Sequence, residues 1–422
     1  MIEHKKTTKD KAFLIGVHRP GSAREDARTS LDELSGLVSA VRMGEVGRAV
    51  LTIKAEHPRY LVGSGRALEI ATEAKEAGAD FIVFDEELSP SQQRNWDKVS
   101  GITTIDRHEI IIDIFARRAR SHEAIAQVEL ARMEYSLPRL TNQWTHLSRQ
   151  RGGARGTRGE GETQLELDRR QVLRRIARVK RDLEKLAERR ETLRRRRTRV
   201  PLTTAAVVGY TNAGKSSFIE RLTGADVFVA NQLFATLDPT TKILELPDLP
   251  SILLTDTVGF VRKLPHGLIE AFKSTLEEAV QAQFLIHVVD VSSPDMLHQF
   301  EVTRKVLAEL GAQQPMIVVL NKRDLVPELP VIPAGFGEAI SFSCTTGYGL
   351  DEVLDRIQQI VRTLFEPETY HFPAARHDLA ALVHRNGEVM NESFTDDEIR
   401  IQARLDEQTR ARLEKYRAPR VS

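Results

Sequence analysis

The sequence predicts an α/β protein of several units: a small N-terminal α/β domain, a long α-helical coiled-coil hairpin, a central P-loop domain and a small C-terminal α/β appendage. Three observations predict it. Short apolar stretches alternate with helical patterns over residues 1–106. Apolar residues then recur every seven positions from Leu165 to Leu193. Finally, three apolar runs, Thr204–Val208, Ser251–Thr255 and Met316–Leu320, each read as a strand ending in a short polar phrase. The expected segments are 1–106, 107–199, 200–366 and 367–422.

In the first segment, Ala12–Val17, Ala49–Ile53, Phe81–Phe84 and Thr103–Ile105 read as strands. Leu31–Val41, Ala67–Ala77 and Pro90–Val99 read as helices, the last capped by Ser89. Val62-Gly-Ser-Gly-Arg66 lacks the rest of a nucleotide fingerprint and reads as a turn. Residues Arg107–Ser136 are expected to form one long helix ending before Pro138.

Leu165, Val172, Val179, Leu186 and Leu193, with Ile176 and Leu183 on the same stripe, predict a seam. An antiparallel hairpin with the preceding helix is the expected partner. Residues 168–199 hold thirteen Arg and two Lys against five acidic residues, a net charge of +10, with Arg194, Arg195, Arg196 and Arg197 consecutive. A charge run is commonly a solvated face, but this imbalance favours nucleic-acid phosphate. The connection Arg149–Thr163 has five glycines and four arginines, Arg149, Arg151, Arg155 and Arg158. It predicts a cationic tip that can follow irregular RNA, with guanidinium planes for phosphates and unstacked bases.

The central segment carries the chemistry. Gly209-Tyr210-Thr211-Asn212-Ala213-Gly214-Lys215-Ser216 is a complete G-x-x-x-x-G-K-S phosphate loop between a strand and a helix that continues through Ser217. There backbone N–H groups and a helix N-terminus converge on phosphates. Lys215 supplies a charge for the β- and γ-phosphates, and the Ser216 hydroxyl a ligand for Mg²⁺. Asp256-Thr257-Val258-Gly259 ends the second strand. Asp256 is placed to hold the Mg²⁺, and the Gly259 N–H to meet a γ-phosphate.

Asn321-Lys322-Arg323-Asp324 ends the third strand. The Asp324 carboxylate can accept from guanine N1–H and the 2-amino group, a donor pair that adenine lacks. Asn321 can bond the guanine side, and the Lys322 stem can cover the ring. Ser343-Cys344-Thr345 follows an apolar strand and should meet the guanine O6, with Thr345 where many GTPases have a ring-covering lysine. These phrases together predict a P-loop GTPase G domain. Between them lies Phe234-Ala235-Thr236-Leu237-Asp238, running on to Thr241, where a mobile hydroxyl should complete the Mg²⁺ shell. Thr236, Thr240 and Thr241 are the candidates. Phe260 stands where Ras-like enzymes carry the glutamine that orients water, so slow intrinsic hydrolysis is expected. Asn212 either helps to bind K⁺ beside the phosphates or only stabilises the loop.

Composition limits the alternatives. The chain has 422 residues, a net charge of +1 and one cysteine, Cys344, so no internal disulfide can form. That fits a reducing cytoplasm. No apolar run approaches the ~20 residues of a membrane span, the first residues carry no signal-peptide core, and no Cys/His cluster has zinc spacing. The basic hairpin lacks the aromatic apolar face a membrane surface wants, so no stable membrane association is expected. Past 367, Asp378–His384 and Asp406–Tyr416 read as helices, Arg385-Asn-Gly387 as a turn, with two short strands to Ala403.

Gly156-Thr-Arg-Gly-Glu-Gly-Glu-Thr-Gln-Leu-Glu-Leu-Asp-Arg-Arg170, the phosphate loop, Phe234–Thr241 and Asp256–Phe260 together resemble the HflX family of bacterial GTPases over about residues 10–415. The resemblance implies an N-terminal α/β domain and helical hairpin before the G domain. It also implies binding to the large ribosomal subunit and its rRNA, and dissociation of stalled ribosomes under stress. Within it, Thr236 matches the switch threonine that joins Ser216 on Mg²⁺. The catalytic set expected is then Lys215, Thr236, Gly259 and Asn212. The expectation is a cytoplasmic, monomeric GTPase that splits ribosomes. A GTPase of large-subunit assembly, or a GTP-switched RNA-binding structural protein with incidental hydrolysis, are the alternatives.

Overall fold

The computed structural model describes residues 10–21, 24–53, 55–140, 158–197, 203–224, 234, 238–247, 249–263, 278–364, 367–395, 397–405 and 407–418; within 158–165 and 190–197 it describes the backbone only. The N-terminal alternation folds as β1 (Lys11–His18), α1 (Arg24–Ala40), β2 (Gly44–Thr52), α2 (Ser64–Glu76), β3 (Phe81–Phe84), α3 (Pro90–Ser100) and β4 (Thr103–Asp106). Its sheet is all parallel, in the order β2-β1-β3-β4. Ser89 caps α3 as expected: its Oγ accepts from Gln92 N at 3.2 Å, and Gln92 Oε1 accepts from Ser89 N at 2.9 Å.

The long helix expected over 107–136 is instead two, α4 (Arg107–Arg118) and α5 (His122–Ser136). The cause is a second cap, Ser121, whose Oγ accepts from Ala124 N at 3.1 Å, after a chain break from helical geometry at Ala119. The helix therefore folds back. The hydroxyl of Tyr135, near the end of α5, donates to Asp106 Oδ1 at 3.0 Å, beside the start of α4.

The arginine-rich segment is one helix, α6 (Arg158–Arg197). Its seam packs on α5, with Leu130, Ile176 and Val179 buried and Ala126, Met133, Leu137, Val172 and Leu183 beside them. The antiparallel pairing expected with the preceding helix is not what forms. Arg175 Nε meets Glu129 at 2.9 Å and Lys180 meets Glu134 at 2.8 Å, partners five residues further along both helices. The apolar partners keep that same spacing of 46 residues. A run reversed in direction would have separated the second pair by about 15 Å, so α5 and α6 lie side by side in the same sense.

The central domain contains β5 (Thr203–Gly209), α7 (Lys215–Thr223), β6 (Thr240–Leu246), β7 (Leu249–Asp256), β8 (Phe284–Asp290), α8 (Met296–Glu309), β9 (Met316–Asn321), β10 (Ala339–Ser341) and α9 (Leu350–Leu364). The sheet order is β10-β9-β8-β5-β7-β6, parallel except for the antiparallel edge strand β6. Near-continuous apolar runs suit strands buried on both faces, and β5 and β8 are almost wholly buried. The phosphate loop, Asp256 and Asn321 thus stand together at the C-terminal ends of parallel strands, where doubly wound sheets bind ligands.

The C-terminal appendage is a three-stranded antiparallel sheet of β11 (Glu368–Pro373), β12 (Gly387–Phe394) and β13 (Glu398–Leu405), in the order β11-β13-β12. It is packed with α10 (His377–Asn386) and α11 (Glu407–Leu413). The turn expected at 385–387 is the end of α10 running directly into β12. No described helix is long and apolar enough to cross a membrane.

Candidate active site

The phosphate loop leaves β5 and enters α7 through Gly214, whose φ of +93° suits glycine. A Cβ there would stand 2.3 Å from Asn321 Nδ2. Lys215 opens the helix and is buried, its Nζ donating to Tyr210 O at 2.9 Å. Burial pushes its pKa down to about 8, with the nearby Asp256 charge acting the other way. Ser216 Oγ donates to Asp256 Oδ2 at 2.6 Å, so two oxygen ligands converge beside the helix N-terminus. A pair of hard oxygen donors next to a phosphate site fits Mg²⁺. Gly259 is required by crowding: a Cβ would lie 2.7 Å from Lys215 Nζ and 2.8 Å from Thr211 Cα.

The residues expected to read guanine are braced by protein contacts that the sequence did not announce. Asn321 is buried, and its amide is engaged by protein at both ends. Nδ2 donates to Ala213 O at 2.8 Å, while Oδ1 accepts from Cys344 N at 3.2 Å. Asn321 thus ties the phosphate loop to the loop after β10, with one of its two Nδ2 hydrogens used in doing so. Ser343 Oγ, expected at the guanine O6, donates to Asp324 Oδ1 at 2.6 Å and accepts from Thr346 N at 3.1 Å. Lys322 turns through a φ of +65° and reaches Asp290 at 2.5 Å. Arg323 bonds the carbonyls of Val326 and Pro327, so its guanidinium serves its own turn and not the base. Cys344 lies half-buried against the loop, its thiol pushed up to about 11 by burial, and Thr345 is exposed.

Phe260 follows Gly259 directly. The ring is 2 % exposed, within an apolar cluster with Tyr210. Its backbone is tied to the phosphate loop: Phe260 N donates to Gly209 O at 3.1 Å, and Thr211 N donates to Phe260 O at 2.8 Å. Thr257 turns inward, its hydroxyl donating to Val207 O at 2.7 Å, so its side chain serves the core. Val258 packs against the N-terminal domain. Asn212 is exposed at a φ of +61°, and Ser217 is half-buried in the first turn of α7.

Sequence reasoning missed the other wall of this site. The Tyr210 hydroxyl, in the phosphate loop, donates to Glu33 of α1 at 2.6 Å and accepts from Arg262 N at 2.6 Å. Glu33 also pairs with Arg107, which meets Asp85 at 2.6 Å. Lys263 reaches Asp85 at 2.5 Å and Glu86 at 2.8 Å, and Arg262 pairs with Asp295. Burial works against the Arg107 charge, yet Glu33 and Asp85 hold its pKa above the ordinary value. Removing one member of such a buried pair commonly costs about 3–5 kcal/mol, because the other charge is left without compensation. Tyr210, Arg262 and Lys263 are thereby clasped to the N-terminal domain. These partners are as far as 229 residues apart in sequence, and no local pattern announces them.

Phe234, Asp238 and Pro239 of the stretch before β6 are described. Phe234 is buried against Phe115 of α4, with ring centroids 4.6 Å apart. Asp238, expected at the nucleotide, instead accepts from Arg120 N at 3.0 Å and Ser121 N at 3.1 Å, and from the Ser121 hydroxyl. Ala235, Thr236 and Leu237 lie outside the described residues, as do Arg149, Arg151 and Arg155, and the side chains of Arg158, Arg194, Arg195, Arg196 and Arg197.

Comparison with known proteins fits this geometry. A family profile described as a GTP-binding GTPase N-terminal region matches residues 28–116, one for a GTP-binding GTPase middle region matches 118–197, and one described as a 50S ribosome-binding GTPase matches 204–322. The chain is 44% identical to GTPase HflX of Akkermansia muciniphila across 99% of both chains. The chain belongs to the HflX family of GTPases. It is also 42% identical to GTPase HflX of Spirochaeta thermophila, over 89% of this chain and 92% of the relative. A crystal structure of SsGBP with GDP covers 85% of this chain and 99% of its own, at 23% identity and a TM-score of 0.47.

As a member of that family the chain binds GTP and hydrolyses it to GDP and phosphate. The burial of Lys215 carries a consequence for binding. A phosphate beside its ammonium would return its pKa from about 8 towards the ordinary range. The complex then holds a proton that the nucleotide-free site releases above pH 8, so affinity should weaken as pH climbs from about 8. Near pH 8, binding should take up about half a proton. Calorimetry of GDP binding in two buffers of different ionisation enthalpy reads this directly, and equal heats would contradict it.

Proposed function

We propose that this GTPase docks on the large ribosomal subunit through its arginine-rich helix α6 and the Gly/Arg-rich stretch before it and, in its GTP state, separates stalled ribosomes into subunits in the cytoplasm. The observation that carries this reading is the outer face of α6. Arg174, Arg178 and Arg181 are exposed, while Ile176 and Val179 of the same helix are buried against α5. A dense row of cations on a rigid support suits a nucleic-acid backbone. The ribosome-binding description of the profile over the G domain supports the same partner.

Within the site, Ser216 and Asp256 would hold Mg²⁺ and Thr236 would join them. Held there, the ion would neutralise charge on the β- and γ-phosphates. Lys215 places its charge at those phosphates, the Gly259 N–H meets the γ-phosphate, and Asp324 reads guanine from a carboxylate anchored by Ser343. Phe260 has no group to orient water, so turnover is slow until ribosome contact completes the site. Asn212, exposed in the loop, is the residue through which K⁺ would act. Replacing K⁺ by Na⁺ should slow hydrolysis, and Asn212→Ala should erase the difference. Equal rates in the two salts would remove K⁺ from the account.

Sedimentation tests the whole reading. With a non-hydrolysable GTP analogue the protein should move with large subunits, and intact ribosomes should give way to separate subunits. With GDP both effects should weaken. Binding to large subunits while intact ribosomes persist would point to subunit assembly instead.

A further inference from the structure

The phosphate loop contains a buried polar group with no protein partner. Among the described residues, three buried threonine hydroxyls lack a hydrogen bond, those of Thr104, Thr203 and Thr211, and of these Thr211 alone stands in the phosphate loop. Thr211 is 7 % exposed. A buried hydroxyl left unpaired costs stability, so a chain that keeps one beside a reacting centre calls for a use. Thr257, close by, shows the ordinary arrangement: its hydroxyl donates to Val207 O at 2.7 Å. The backbone fixes where the Thr211 side chain lies. Thr211 N donates to Phe260 O at 2.8 Å and Phe260 N donates to Gly209 O at 3.1 Å, so the loop runs beside the residue after Gly259. A Cβ at Gly259 would stand 2.8 Å from Thr211 Cα, 3.0 Å from its methyl carbon and 2.7 Å from Lys215 Nζ. Thr211 and Lys215 thus both border Gly259, and the hydroxyl hangs on the same short side chain as that methyl.

Phe260 stands where a glutamine would orient the attacking water, and its ring is turned into the apolar cluster with Tyr210. A glutamine amide can accept from that water and donate to a phosphate oxygen. A threonine hydroxyl, with one donor and two acceptor sites, can do the same. We propose that Thr211 is a catalytic residue of GTP hydrolysis, its hydroxyl accepting from the attacking water and donating to a γ-phosphate oxygen. In that step the water oxygen bonds to the γ-phosphorus, and the bond from phosphorus to the β–γ bridging oxygen breaks. GDP leaves with the electron pair, one water proton passes to a γ-phosphate oxygen, and Thr211 keeps its own proton. The methyl group packed on Gly259 and the stiffness of a β-branched side chain hold the hydroxyl in place. One hydroxyl replaces an amide only in part, in keeping with slow turnover away from the ribosome. The inference rests on the reading that places the γ-phosphate at Lys215 and Gly259.

The test uses the full chain with Mg²⁺. It reads single-turnover hydrolysis with enzyme in excess of GTP, and affinities for GDP and for a non-hydrolysable GTP analogue. Thr211→Val keeps the branched shape and the methyl on Gly259 but removes the hydroxyl. It should slow hydrolysis about 10- to 100-fold. Both affinities should change by less than about three-fold, since the lost contact belongs to the transition state. Without nucleotide its melting temperature should equal or exceed the parent's, because an unpaired buried hydroxyl is gone. Thr211→Ser, which keeps the hydroxyl and drops the methyl, should recover most of the rate. A Thr211→Val rate within about two-fold of the parent's would overturn the proposal. So would Thr211→Ser as slow as Thr211→Val, which would assign the effect to the packing on Gly259. Gly259→Ala, which must push the turn off Lys215 and Thr211, separates the underlying reading. If it leaves the analogue-to-GDP affinity ratio unchanged, the γ-phosphate does not lie there and the proposal falls with that reading. If it lowers the ratio while Thr211→Val hydrolyses like the parent, only the role of the hydroxyl is lost.

Discussion

Asp324→Asn is expected to exchange the base that this site prefers, weakening GTP and strengthening xanthosine triphosphate. The argument rests on the direction of one hydrogen bond. Ser343 Oγ accepts from Thr346 N, so its own proton points to Asp324 Oδ1. In the variant that position still needs an acceptor, and the amide oxygen will take it. The amide nitrogen is then turned towards the base. Against guanine it sets donors against the N1–H and 2-amino donors; against xanthine it meets an acceptor, the 2-oxo group. Losing two hydrogen bonds to a charged acceptor should cost about 2–4 kcal/mol, roughly 30- to 1,000-fold in GTP affinity. Competition binding with GTP and xanthosine triphosphate checks this. GTP affinity equal to the parent's would mean that Asp324 does not read the base.

That expectation sharpened between sequence and structure, and the way it did so marks what a sequence can carry. The phosphate loop, Asp256 and Asn321 were legible because each is a short phrase tied to the end of an apolar strand, so local pattern determines its place. Four of the five parallel strands of the central sheet, β5, β7, β9 and β10, follow from the apolar runs before these phrases and before Ser343, while β8 was not among them. The braces around these phrases were not legible. Nothing in Asn321-Lys-Arg-Asp324 says that the Asn321 amide bonds Ala213 O and Cys344 N, or that Arg323 turns back on its own loop. The Asn321–Ala213 contact depends on how loops 108 residues apart approach one another, and the Cys344 contact on a loop 23 residues further on.

The bend at Ser121 shows a different limit. An apolar helical pattern runs on through residues 107–136, and a serine within it is a weak signal by itself, since serine is tolerated inside helices. What decides for a cap is tertiary: Asp106 receives Tyr135 and Arg139 from the returning helix, and Asp238 sits on the Ser121 turn. The parallel run of α5 with α6 was hidden similarly. A heptad stripe announces that a partner exists, but the direction of that partner is set by the connection and by charge pairs such as Glu129 with Arg175. The ionic clasp of Glu33, Asp85, Arg107, Tyr210, Arg262 and Lys263 is the extreme case, since Tyr210 was expected only as a member of the phosphate loop.

Changing Arg149, Arg151, Arg155 and Arg158 together to Ala should weaken large-subunit binding and lower its dependence on salt. Phosphate contacts release condensed counterions, so each contact adds to the slope of log K against log salt. Losing one should reduce that slope by roughly 0.7–0.9, and losing four by about 3. At moderate salt a change of that size is worth orders of magnitude in affinity, against the small effect of four ordinary surface substitutions. The variant also separates docking from chemistry. Lys215, Ser216, Asp256 and Asp324, the residues proposed for the nucleotide site, bond to Tyr210, Ser343 and one another within the G domain. Affinity for GDP without ribosomes should therefore match the parent's. Ribosome-stimulated hydrolysis and subunit release should fall together, because both require docking. If subunit affinity and salt slope stay at the parent's values, the four arginines do not meet RNA. The docking charge would then have to lie along α6, where Arg169, Arg174, Arg178 and Arg181 are already exposed.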